Sequence, residues 1–337
     1  MKETRADNMQ AIGYNGCDFI EFEKPLENPA GQDLLVEIKA ISINPIDTKV
    51  KQTITKDSAV KILGYDACGV VRAVGEEASI FKVGDEVFYA GDVTRDGSNA
   101  THQLVDERIV GRKPKSLNFE QAAALPLTSI TAWESLFDRL KITPKDKNKT
   151  LLLIGAAGGV GSMAIQFSKQ IISMNVIATA SRPESKAWCK QMGADTVLDH
   201  QQLAKQFKQQ SLTAPDYILC MGVPDDYLEQ MVDLIAPQGC ICLLANTQKS
   251  YDLNLLKAKS ITLVWEMMFT RSMFQTTDLI KQHQLLNKVS DLIDQQQIVS
   301  IATQQLSPIN IDNITKAHQL IEQGDMIGKL VICEQHL

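Results

Sequence analysis

A glycine-rich turn between an apolar run and an amphipathic segment is the strongest chemical signal in the sequence. Residues 150–161 read Thr-Leu-Leu-Leu-Ile-Gly-Ala-Ala-Gly-Gly-Val-Gly. A buried strand, a turn with little side-chain bulk and a helix N-terminus with free N–H groups together suit the pyrophosphate of a dinucleotide. The turn therefore predicts a site for NAD(H) or NADP(H).

The turn is close to the pattern Gly-x-Gly-x-x-Gly but has alanine in the first position. Ala156 stands there, and Gly158 and Gly161 follow. Alanine fits a tight turn if its φ is negative, Gly158 lets the backbone approach the pyrophosphate, and Gly161 lets the helix pack on the strand. A strand–turn–helix unit without a ligand is the alternative, but the flanking strand and helix patterns favour a binding site that includes Gly159 and Val160.

The end of the next predicted strand indicates which dinucleotide binds. An NAD site usually has Asp or Glu about 20 residues past the motif. Ala180 stands at that position, followed by Ser181 and Arg182, and Lys186 comes one helical turn later. Without the carboxylate a 2′-phosphate is not repelled, and a guanidinium can bind it with two hydrogen bonds. Arg182 and Lys186 as solvated surface cations are the alternative; the missing acid favours NADPH.

Composition excludes several classes of protein. A chain of 337 residues predicts two domains, and 44% hydrophobic with 22% charged residues is ordinary for a globular protein. The net charge of −6 argues against a nucleic-acid or anionic-membrane partner. No apolar run approaches the roughly 20 residues of a membrane span. The polar N-terminus lacks a signal-peptide core, so we expect a cytoplasmic protein with a disordered leader at residues 1–8.

Hydrophobic periodicity divides the chain into two regions. Residues 9–127 are rich in predicted strands, notably Leu34–Ile43, Ala67–Val74 and Glu86–Ala90, which suggests a small barrel-like domain. Beyond residue 128, strands alternate with helices, which predicts a doubly wound parallel sheet. Its six predicted strands are 151–156, 176–181, 196–199, 216–221, 239–245 and 260–267.

The predicted sheet also places residues that border a ligand, because ligands bind at the carboxyl ends of such strands. Met221 and Ala245 stand at the ends of the fourth and fifth predicted strands and are assigned to the cofactor site. The remainder of the chain reads as a helix at Asp278–Gln296, a polar strand, a helix at Asp312–Glu322 and a last strand at Lys329–Cys333.

Seven segments in this order and spacing resemble the medium-chain dehydrogenase/reductase superfamily, in its zinc-free quinone oxidoreductase (zeta-crystallin-like) and zinc-type alcohol dehydrogenase-like branch. They are Ile43–Asp47, Leu63–Val71, Val83–Val87, Ala122–Thr128, the glycine-rich turn, Met192–Asp195 and Gly328–Ile332. The resemblance implies an α/β protein with a GroES-like β-rich barrel domain and a Rossmann doubly wound parallel-sheet domain. The GroES-like domain would comprise residues 1–127 and 275–337, and the Rossmann domain residues 128–274.

The resemblance also implies a site in the cleft, with Thr131 against the nicotinamide. In addition it implies a homodimer, because in this family the edge strand near residues 260–267 commonly pairs across a two-fold axis. The nearby Trp265, Met267, Met268 and Phe269 could wall the substrate pocket, although a methionine-rich stripe is more often core or dimer interface.

The sequence predicts that no metal is bound. In zinc-dependent relatives a Cys, a His and a second Cys hold the catalytic zinc, and those positions correspond to Asn44, Tyr65 and Leu127 here. An amide, a phenol and an alkyl group are poor substitutes for thiolate and imidazole. The seven cysteines form no Cys-x-x-Cys pair, and the region of the structural zinc site has no cysteine.

Without zinc as a Lewis acid, the hydride acceptor should be intrinsically easy to reduce, such as a quinone or an alkene conjugated to a carbonyl. The resemblance places Asn44 and Asp47 at the floor of the cleft. The Asn44 amide and the Tyr65 phenol could donate to the acceptor oxygen, and Asp47 would orient its neighbours. Alternatively, Asn44 shapes a turn before Pro45 and Tyr65 is a packed aromatic.

These observations predict a zinc-independent NADPH-dependent oxidoreductase that transfers hydride to a quinone. A 2-alkenal or enone reductase, which uses the same site with different pocket walls, is the alternative enzyme. Many quinone reductases have a tyrosine where Lys49 stands here, so the resemblance alone does not assign the substrate. From another class, an NADPH-binding sensor or crystallin-like protein with little turnover would share the same motifs. The expected partners are a small-molecule quinone or enone and a second copy of the chain.

Overall fold

The computed structural model describes residues 8–334 of the chain. This part of the chain contains sixteen strands and ten α-helices. The strands are β1 (Asn8–Tyr14), β2 (Phe19–Pro25), β3 (Asp33–Ser42), β4 (Lys61–Ile62), β5 (Ala67–Val74), β6 (Glu86–Tyr89), β7 (His102–Asp106), β8 (Val110–Arg112), β9 (Thr150–Ile154), β10 (Asn175–Thr179), β11 (Thr196–Leu198), β12 (Tyr217–Cys220), β13 (Cys240–Leu243), β14 (Thr262–Trp265), β15 (Ala302–Leu306) and β16 (Lys329–Cys333).

The helices are short, and the longest has 14 residues. They are α1 (Pro45–Thr53), α2 (Phe119–Ala123), α3 (Pro126–Trp133), α4 (Gly159–Phe167), α5 (Pro183–Gln191), α6 (Leu203–Gln209), α7 (Leu228–Leu234), α8 (Thr270–Met273), α9 (Lys281–Asp294) and α10 (Ile311–Glu322). No helix in the described residues is long and apolar enough to cross a membrane. Of the expected leader, residues 1–7 lie outside the described part of the chain, and Asn8 begins β1.

The chain forms two units. The first contains residues up to Leu127 together with those from Phe269 onward, and the second runs from Thr128 to Met268. The second unit therefore ends before the predicted residue 274. The first unit corresponds to the expected GroES-like domain, which includes the C-terminal residues. The second unit corresponds to the expected Rossmann domain.

The first unit is built on two sheets. The larger has seven strands in the order β15-β16-β3-β5-β6-β8, with β7 also paired to β3, and the smaller has the order β2-β1-β4. Strand β3 is central because apolar residues occur at successive positions, and Leu34, Val36 and Ile38 are fully buried. The C-terminal strand β16 pairs antiparallel with β3, so the end of the chain completes the sheet that the N-terminal residues begin.

The second unit is a parallel sheet of six strands in the order β11-β10-β9-β12-β13-β14. All five residues of β9 are buried, as expected for a central parallel strand covered on both faces. The chain moves outward from β9 through β10 to β11, and then returns to β12 on the other side of β9. Ligands of doubly wound sheets bind where the strand order reverses in this way, at the carboxyl ends of the strands.

The structure confirms the predicted α/β architecture and all six strands of the parallel sheet. The predicted first strand, 151–156, is shorter because Gly155 takes a positive φ of 81° and turns the chain after Ile154. The predicted helix over 159–173 is α4 followed by a π-helical segment at Ser168–Ile172. Helix α6 was missed, because its mixture of Lys and Gln gives only two buried positions, Leu203 and Phe207.

Candidate functional site: a glycine turn and a buried lysine cluster

The glycine-rich turn has its left-handed residue one position before Ala156. Gly155 has a φ of 81°, and its N–H donates to Thr179 Oγ1 over 3.0 Å. Ala156 is fully buried, is not among the described residues with positive φ, and donates its N–H to the Thr179 carbonyl over 3.2 Å. Alanine is tolerated because Gly155 makes the turn that only glycine adopts without strain.

Two further glycines have different structural reasons. A Cβ at Gly161 would lie 2.3 Å from the Ala156 carbonyl oxygen, so any side chain would push helix α4 away from the turn. A Cβ at Gly158 would contact nothing within 4 Å. Gly158 therefore borders open space at the start of α4, before the first intrahelical bond from Ser162 N–H to the Gly158 carbonyl. The N–H groups of this first turn suit an anion such as pyrophosphate.

The predicted 2′-phosphate residues lie together at the start of α5. Ser181 and Arg182 are exposed directly after β10, and Lys186 is half-buried and donates its N–H to the Arg182 carbonyl over 2.9 Å. The residue directly after β10 is Ala180, which is buried and has no carboxylate. Glu184, also exposed, is the acidic residue of this first turn. The two cations and the hydroxyl are thus within one helical turn of one another.

The other predicted cofactor residues are spread over three elements of the second unit. Met221 follows β12, is half-buried, and donates its N–H to the Ile154 carbonyl at the end of β9. Ala245 comes two residues after β13 and is half-buried. Thr131 is buried within α3. Met221 and Ala245 therefore flank the carboxyl end of the sheet, where the strand order predicts the ligand.

Asn44 and Asp47 meet at the start of α1. The Asp47 Oδ2 accepts the Asn44 backbone N–H over 2.8 Å, which caps the helix. The Asn44 side-chain nitrogen donates to Asp66 Oδ2 over 2.8 Å and lies 3.3 Å and 3.4 Å from the carbonyl oxygens of Tyr65 and Ser42. The amide that the sequence offered as a donor to the substrate is engaged within the protein.

Lys329 completes this cluster. Its Nζ donates to Asn44 Oδ1 over 2.5 Å, to the Ile43 carbonyl over 2.9 Å and to Asp66 Oδ2 over 3.1 Å. The lysine is 3% exposed and Asp66 is fully buried. The other Asp66 oxygen, Oδ1, accepts the Leu127 N–H over 2.8 Å. We call Asn44, Asp47, Asp66 and Lys329 the lysine cluster.

The electrostatics of the lysine cluster follow from its burial. Loss of water raises the pKa of Asp47 to about 7, against the opposing effects of the Asn44 N–H and the Lys329 ammonium. Burial also raises the pKa of Asp66, and it lowers the pKa of Lys329. The Asp47 Oδ1 is buried and has no hydrogen-bond partner among the described residues. Asp47 is therefore able to hold a proton near neutral pH.

Tyr65, like Asp47, is a predicted site residue with a buried polar atom that has no hydrogen-bond partner among the described residues. Its ring is buried and packs edge-on against Phe269, with 5.4 Å between ring centroids. Its hydroxyl has no hydrogen-bond partner among residues 8–334. Burial and the nearby Asp47 raise the pKa of the phenol, so the hydroxyl keeps its proton. Tyr65 is both a packed aromatic and a protonated donor, so the two sequence interpretations are compatible.

Comparisons with known proteins agree with this architecture. The family described as Alcohol dehydrogenase GroES-like domain matches residues 30–115, and the family described as Zinc-binding dehydrogenase matches residues 159–282. A zinc-type alcohol dehydrogenase-like protein of Staphylococcus epidermidis is 42% identical over 96% of this chain and 99% of its own length. This chain belongs to the medium-chain dehydrogenase/reductase superfamily, among its zinc-type alcohol dehydrogenase-like proteins.

Solved structures support the same assignment. A Rhizobium etli CFN 42 protein named for zinc-dependent alcohol dehydrogenases is 46% identical, with a TM-score of 0.93 over 99% of this chain and 100% of that one. A Pseudomonas syringae quinone oxidoreductase is 25% identical, with a TM-score of 0.82 over 96% of this chain and 99% of that one. By sequence comparison alone, the chain is also similar to an NADPH-dependent alkenal/one oxidoreductase of Arabidopsis thaliana, which is 32% identical over 56% of this chain and 50% of its own length.

The chain is thus an oxidoreductase of this superfamily, for which NAD(H) or NADP(H) is the typical cofactor. The description of the matching family, Zinc-binding dehydrogenase, also implies zinc, but the residues present do not fit that metal. The positions that correspond to zinc ligands carry the engaged amide of Asn44, the protonated phenol of Tyr65 and the alkyl side chain of Leu127. The Lys329 ammonium lies beside Asn44 and would repel a cation. No group of three or more His, Cys, Asp or Glu side chains suited to a metal ion occurs in residues 8–334.

Sequence reasoning missed two members of the lysine cluster. Asp66 and Lys329 lie within segments that carry the family resemblance, yet neither was assigned a role. A signal for Lys329 was present, because a charged residue begins the otherwise apolar run Lys329–Cys333. A lysine at the head of a buried strand must have acceptors, since an unpaired buried charge is very costly.

Proposed function

We propose that this protein is a zinc-independent, NADPH-dependent reductase that transfers a hydride to a quinone. The observation that carries the proposal is the lysine cluster beside Tyr65, where zinc-dependent relatives have metal ligands and this chain has a buried ammonium and a protonated phenol. Bound NADPH supplies the hydride. The protein must then bind and orient an acceptor that is reducible without a metal Lewis acid.

NADPH is favoured over NADH by the residues that follow β10. The buried Ala180 removes the carboxylate that would hold a ribose 2′-hydroxyl, and Ser181, Arg182 and Lys186 can bind a 2′-phosphate. The room at Gly158 and the N–H groups at the start of α4 suit the pyrophosphate. Each of these features belongs to the second unit, so the cofactor assignment does not depend on the lysine cluster.

Tyr65 is the residue best suited to act on the acceptor. As a quinone accepts hydride, negative charge develops on its oxygen, and a hydrogen-bond donor stabilises that charge. The Tyr65 hydroxyl lacks a partner among the described residues, and an unsatisfied buried hydroxyl costs free energy that an acceptor oxygen would recover. The engaged Asn44 amide would hold the Tyr65 backbone in place, and Asp47 would hold a proton close by.

A steady-state panel tests the proposal. We expect NADPH oxidation with ortho- or para-quinones, little with 2-alkenals, and none without an acceptor. Binding of NADPH with no turnover on any acceptor would instead support the sensor or crystallin-like alternative. Metal analysis of the purified protein should find no stoichiometric zinc, and one tightly bound zinc per chain would contradict the proposal.

Tyr65→Phe tests the donor directly. The variant keeps the ring that packs on Phe269 and removes only the hydroxyl, so we expect kcat with a quinone to fall about 10–100-fold. The Kd for NADPH, measured by fluorescence titration, should stay within about twofold. Tyr14→Phe is the matched control, because Tyr14 packs edge-on against Phe19 in the same unit and is not assigned to the site. Unchanged kcat in Tyr65→Phe would remove Tyr65 from the chemistry.

Arg182→Ala tests the cofactor assignment. Loss of the guanidinium should weaken NADPH binding about tenfold or more and leave NADH binding within about twofold, because only NADPH carries the 2′-phosphate. Lys190→Ala is a suitable control, since Lys190 is an exposed cation of the same helix that donates to the Asp195 carbonyl instead. Equal weakening of both cofactors by Arg182→Ala would contradict the 2′-phosphate assignment.

Reduction of a 2-alkenal or enone is the second candidate, favoured by the similarity to the Arabidopsis alkenal/one oxidoreductase. The same donor would stabilise the enolate oxygen, and Lys49 stands where many quinone reductases have a tyrosine. A kcat/KM for alkenals above that for every quinone tested would favour this candidate.

A homodimer through β14 is part of the proposal. β14 is the last strand of its sheet, so one of its edges is unpaired within the chain. Trp265 and Met267 are 46% and 43% exposed at and just beyond its end. An exposed strand edge with large apolar side chains suits pairing with a second copy. Light scattering on the purified protein should give twice the chain mass of 37.3 kDa, and Met267→Lys should lower it.

A further inference from the structure

Lys329 has the geometry of a residue that organises other residues. The antiparallel pairing of β16 with β3 joins Val331 to Ser42, and the same register continued by two residues puts Lys329 opposite Asn44. The Ser42 hydroxyl donates to the Leu330 carbonyl over 2.7 Å, which fixes this end of the pairing. The long side chain therefore starts on one strand and ends among the polar atoms at the start of α1.

All three ammonium hydrogens of Lys329 have an acceptor. Those acceptors are the Ile43 carbonyl, Asn44 Oδ1 and Asp66 Oδ2, and an ammonium has no fourth donor. Lys329 therefore has no hydrogen left for a substrate oxygen. Lys329 can therefore affect a substrate only through the protein groups to which it donates hydrogen bonds.

Those groups lead directly to Tyr65. With its oxygen held by Lys329, the Asn44 amide must turn its nitrogen toward Asp66 Oδ2 and the Tyr65 carbonyl. Asp66 in turn receives the Leu127 N–H, so one carboxylate joins the segments around residues 44, 127 and 329. Without the ammonium, Asn44 Oδ1 and Asp66 Oδ2 would each lose a donor, and the orientation of the Asn44 amide and the position of Asp66 would be less constrained.

We propose that Lys329 is a positioning residue of the reductase site, whose buried ammonium fixes the Asn44 amide and Asp66 and thereby the backbone that carries Tyr65. This inference rests on the proposed function for its effect on catalysis. It adds a residue at the far end of the chain to a site otherwise formed near residues 44–66. It also gives the lysine cluster one positive charge against its two carboxyl groups, Asp47 and Asp66.

The test compares Lys329→Met with Lys113→Met. Lys113 is the matched control, because it is also a buried lysine of the first unit and donates to the Pro114 and Leu117 carbonyls, away from the lysine cluster. We expect Lys329→Met to lower kcat with a quinone at least about tenfold, because a small displacement of a donor has such an effect. The Kd for NADPH should stay within about twofold, and Lys113→Met should retain kcat in its folded fraction.

The double variant Asp66→Asn/Lys329→Met keeps the test valid if Lys329→Met does not fold, because it removes both charges together. If Lys329 positions Asn44, kcat of the double variant stays low, since Asn44 Oδ1 has still lost its donor. Wild-type kcat in the folded double variant would show that Lys329 merely neutralises Asp66 and would overturn the inference.

A readout without turnover separates this inference from the proposed function. The infrared carboxyl band that Asp47→Asn abolishes reports the titration of Asp47, which faces Lys329, Asp66 and Tyr65. Loss of the ammonium in Lys329→Met should move that titration to higher pH, and Lys113→Met should leave it in place. An unmoved titration would overturn the inference. A wild type that reduces neither quinones nor enones would overturn only the proposed function.

Discussion

Each unit of the molecule contains a buried cluster of two carboxyl groups and one cation. The first unit has the lysine cluster, with Asp47, Asp66 and Lys329. The second has Glu134, Glu266 and Arg139, which we call the arginine cluster. There Arg139 Nε donates to Glu266 Oε2 over 2.7 Å, and an Arg139 Nη lies 3.9 Å from Glu134 Oε2. Both glutamate side chains are fully buried.

The two clusters differ in what neutralises the carboxyl groups. In the lysine cluster, Asp66 receives an ammonium, an amide and a backbone N–H, and Asn44 lies between it and Asp47. In the arginine cluster, Glu134 and Glu266 are hydrogen-bonded to each other, and burial together with the Glu134 charge raises the pKa of Glu266 to about 8. One cluster is organised by fixed donors, and the other holds a proton between two acids.

Two buried clusters of similar composition can therefore respond differently to substitution and to pH. A cluster held by an ammonium and amides depends on every one of its members for its geometry. A pair of acids that shares a proton can respond to loss of its cation by taking up more protons. The lysine cluster is therefore expected to be fragile to substitution, and the arginine cluster to be sensitive to pH.

The largest expected effect comes from removing the cation of each cluster. Lys329→Met leaves Asp66 buried and deprives Asn44 Oδ1 and the Ile43 carbonyl of their donor, so it should lower the free energy of unfolding by about 3–5 kcal/mol. Arg139→Met should cost about 1–2 kcal/mol, because Arg139 is half-buried and the acid pair can protonate. Urea denaturation at pH 7 measures both, and equal losses would remove the distinction between the clusters.

An intermediate effect is expected for Glu266→Gln as the pH changes. In the folded protein the pKa of Glu266 is about 8, above its ordinary value near 4.5, so folding favours the protonated form. The stability that this provides is complete below about pH 4.5 and is lost as the pH rises through 8. Between pH 6 and 9 the wild type should lose about 1–3 kcal/mol more than Glu266→Gln.

Glu229→Gln is the control for that pH series, because Glu229 is an exposed glutamate of the same unit. Its unfolding free energy should follow that of the wild type throughout. Parallel pH curves for the wild type and Glu266→Gln would mean that the acid pair does not share a proton.

The smallest effect on stability is expected for a buried histidine, His318. His318 in α10 packs edge-on against Phe19, and neither ring nitrogen has a hydrogen-bond partner among the described residues. Burial, aided by Lys51 and opposed by Glu322, lowers the pKa of His318 to about 4. The stability from its neutral form is complete above about pH 6.5 and is lost as the pH falls through 4.

His318→Leu should therefore flatten the acid side of the stability curve, by about 2 kcal/mol between pH 6.5 and 4.5. Thermal unfolding across this range measures the effect, with the half-buried His200 of the second unit, whose ring packs edge-on against Tyr227, replaced as a control. A wild type whose stability stays constant over this range would show that the ring already has a partner.

Prediction from sequence succeeded where local pattern decides structure. The six strands of the parallel sheet alternate with helices and have continuous apolar runs, and the last strand, Lys329–Cys333, matches its predicted bounds. Strands β1, β2, β4, β7 and β8 were not identified individually. Several of them are short or carry charged residues, and their pairing partners, such as Ile62 for Gly13, are remote in the sequence.

The candidate site also has residues that the local sequence indicates and residues that it does not. The glycine turn and the residues after β10 could be proposed as a cofactor site from sequence because the proposed function depends on backbone conformation and on charge within one short segment. The lysine cluster was only half identified. Its members come from residues 44–66 and from residue 329, and nothing in the local sequence indicates that these segments meet.

By itself, the sequence determined the six strands of the parallel sheet, the superfamily, the glycine-rich turn that we propose binds the nucleotide, and the residue types Asn44, Tyr65 and Leu127 at the positions that correspond to zinc ligands. Each of these depends on residue type at a fixed local spacing. Only the tertiary structure decided that the Asn44 amide is engaged, that the Tyr65 hydroxyl has no hydrogen-bond partner among the described residues, and that the Lys329 ammonium lies between Asn44 and Asp66. The physical reason is that burial and hydrogen bonding are shared between segments, and antiparallel pairing of β16 with β3 brings residue 329 to residue 44.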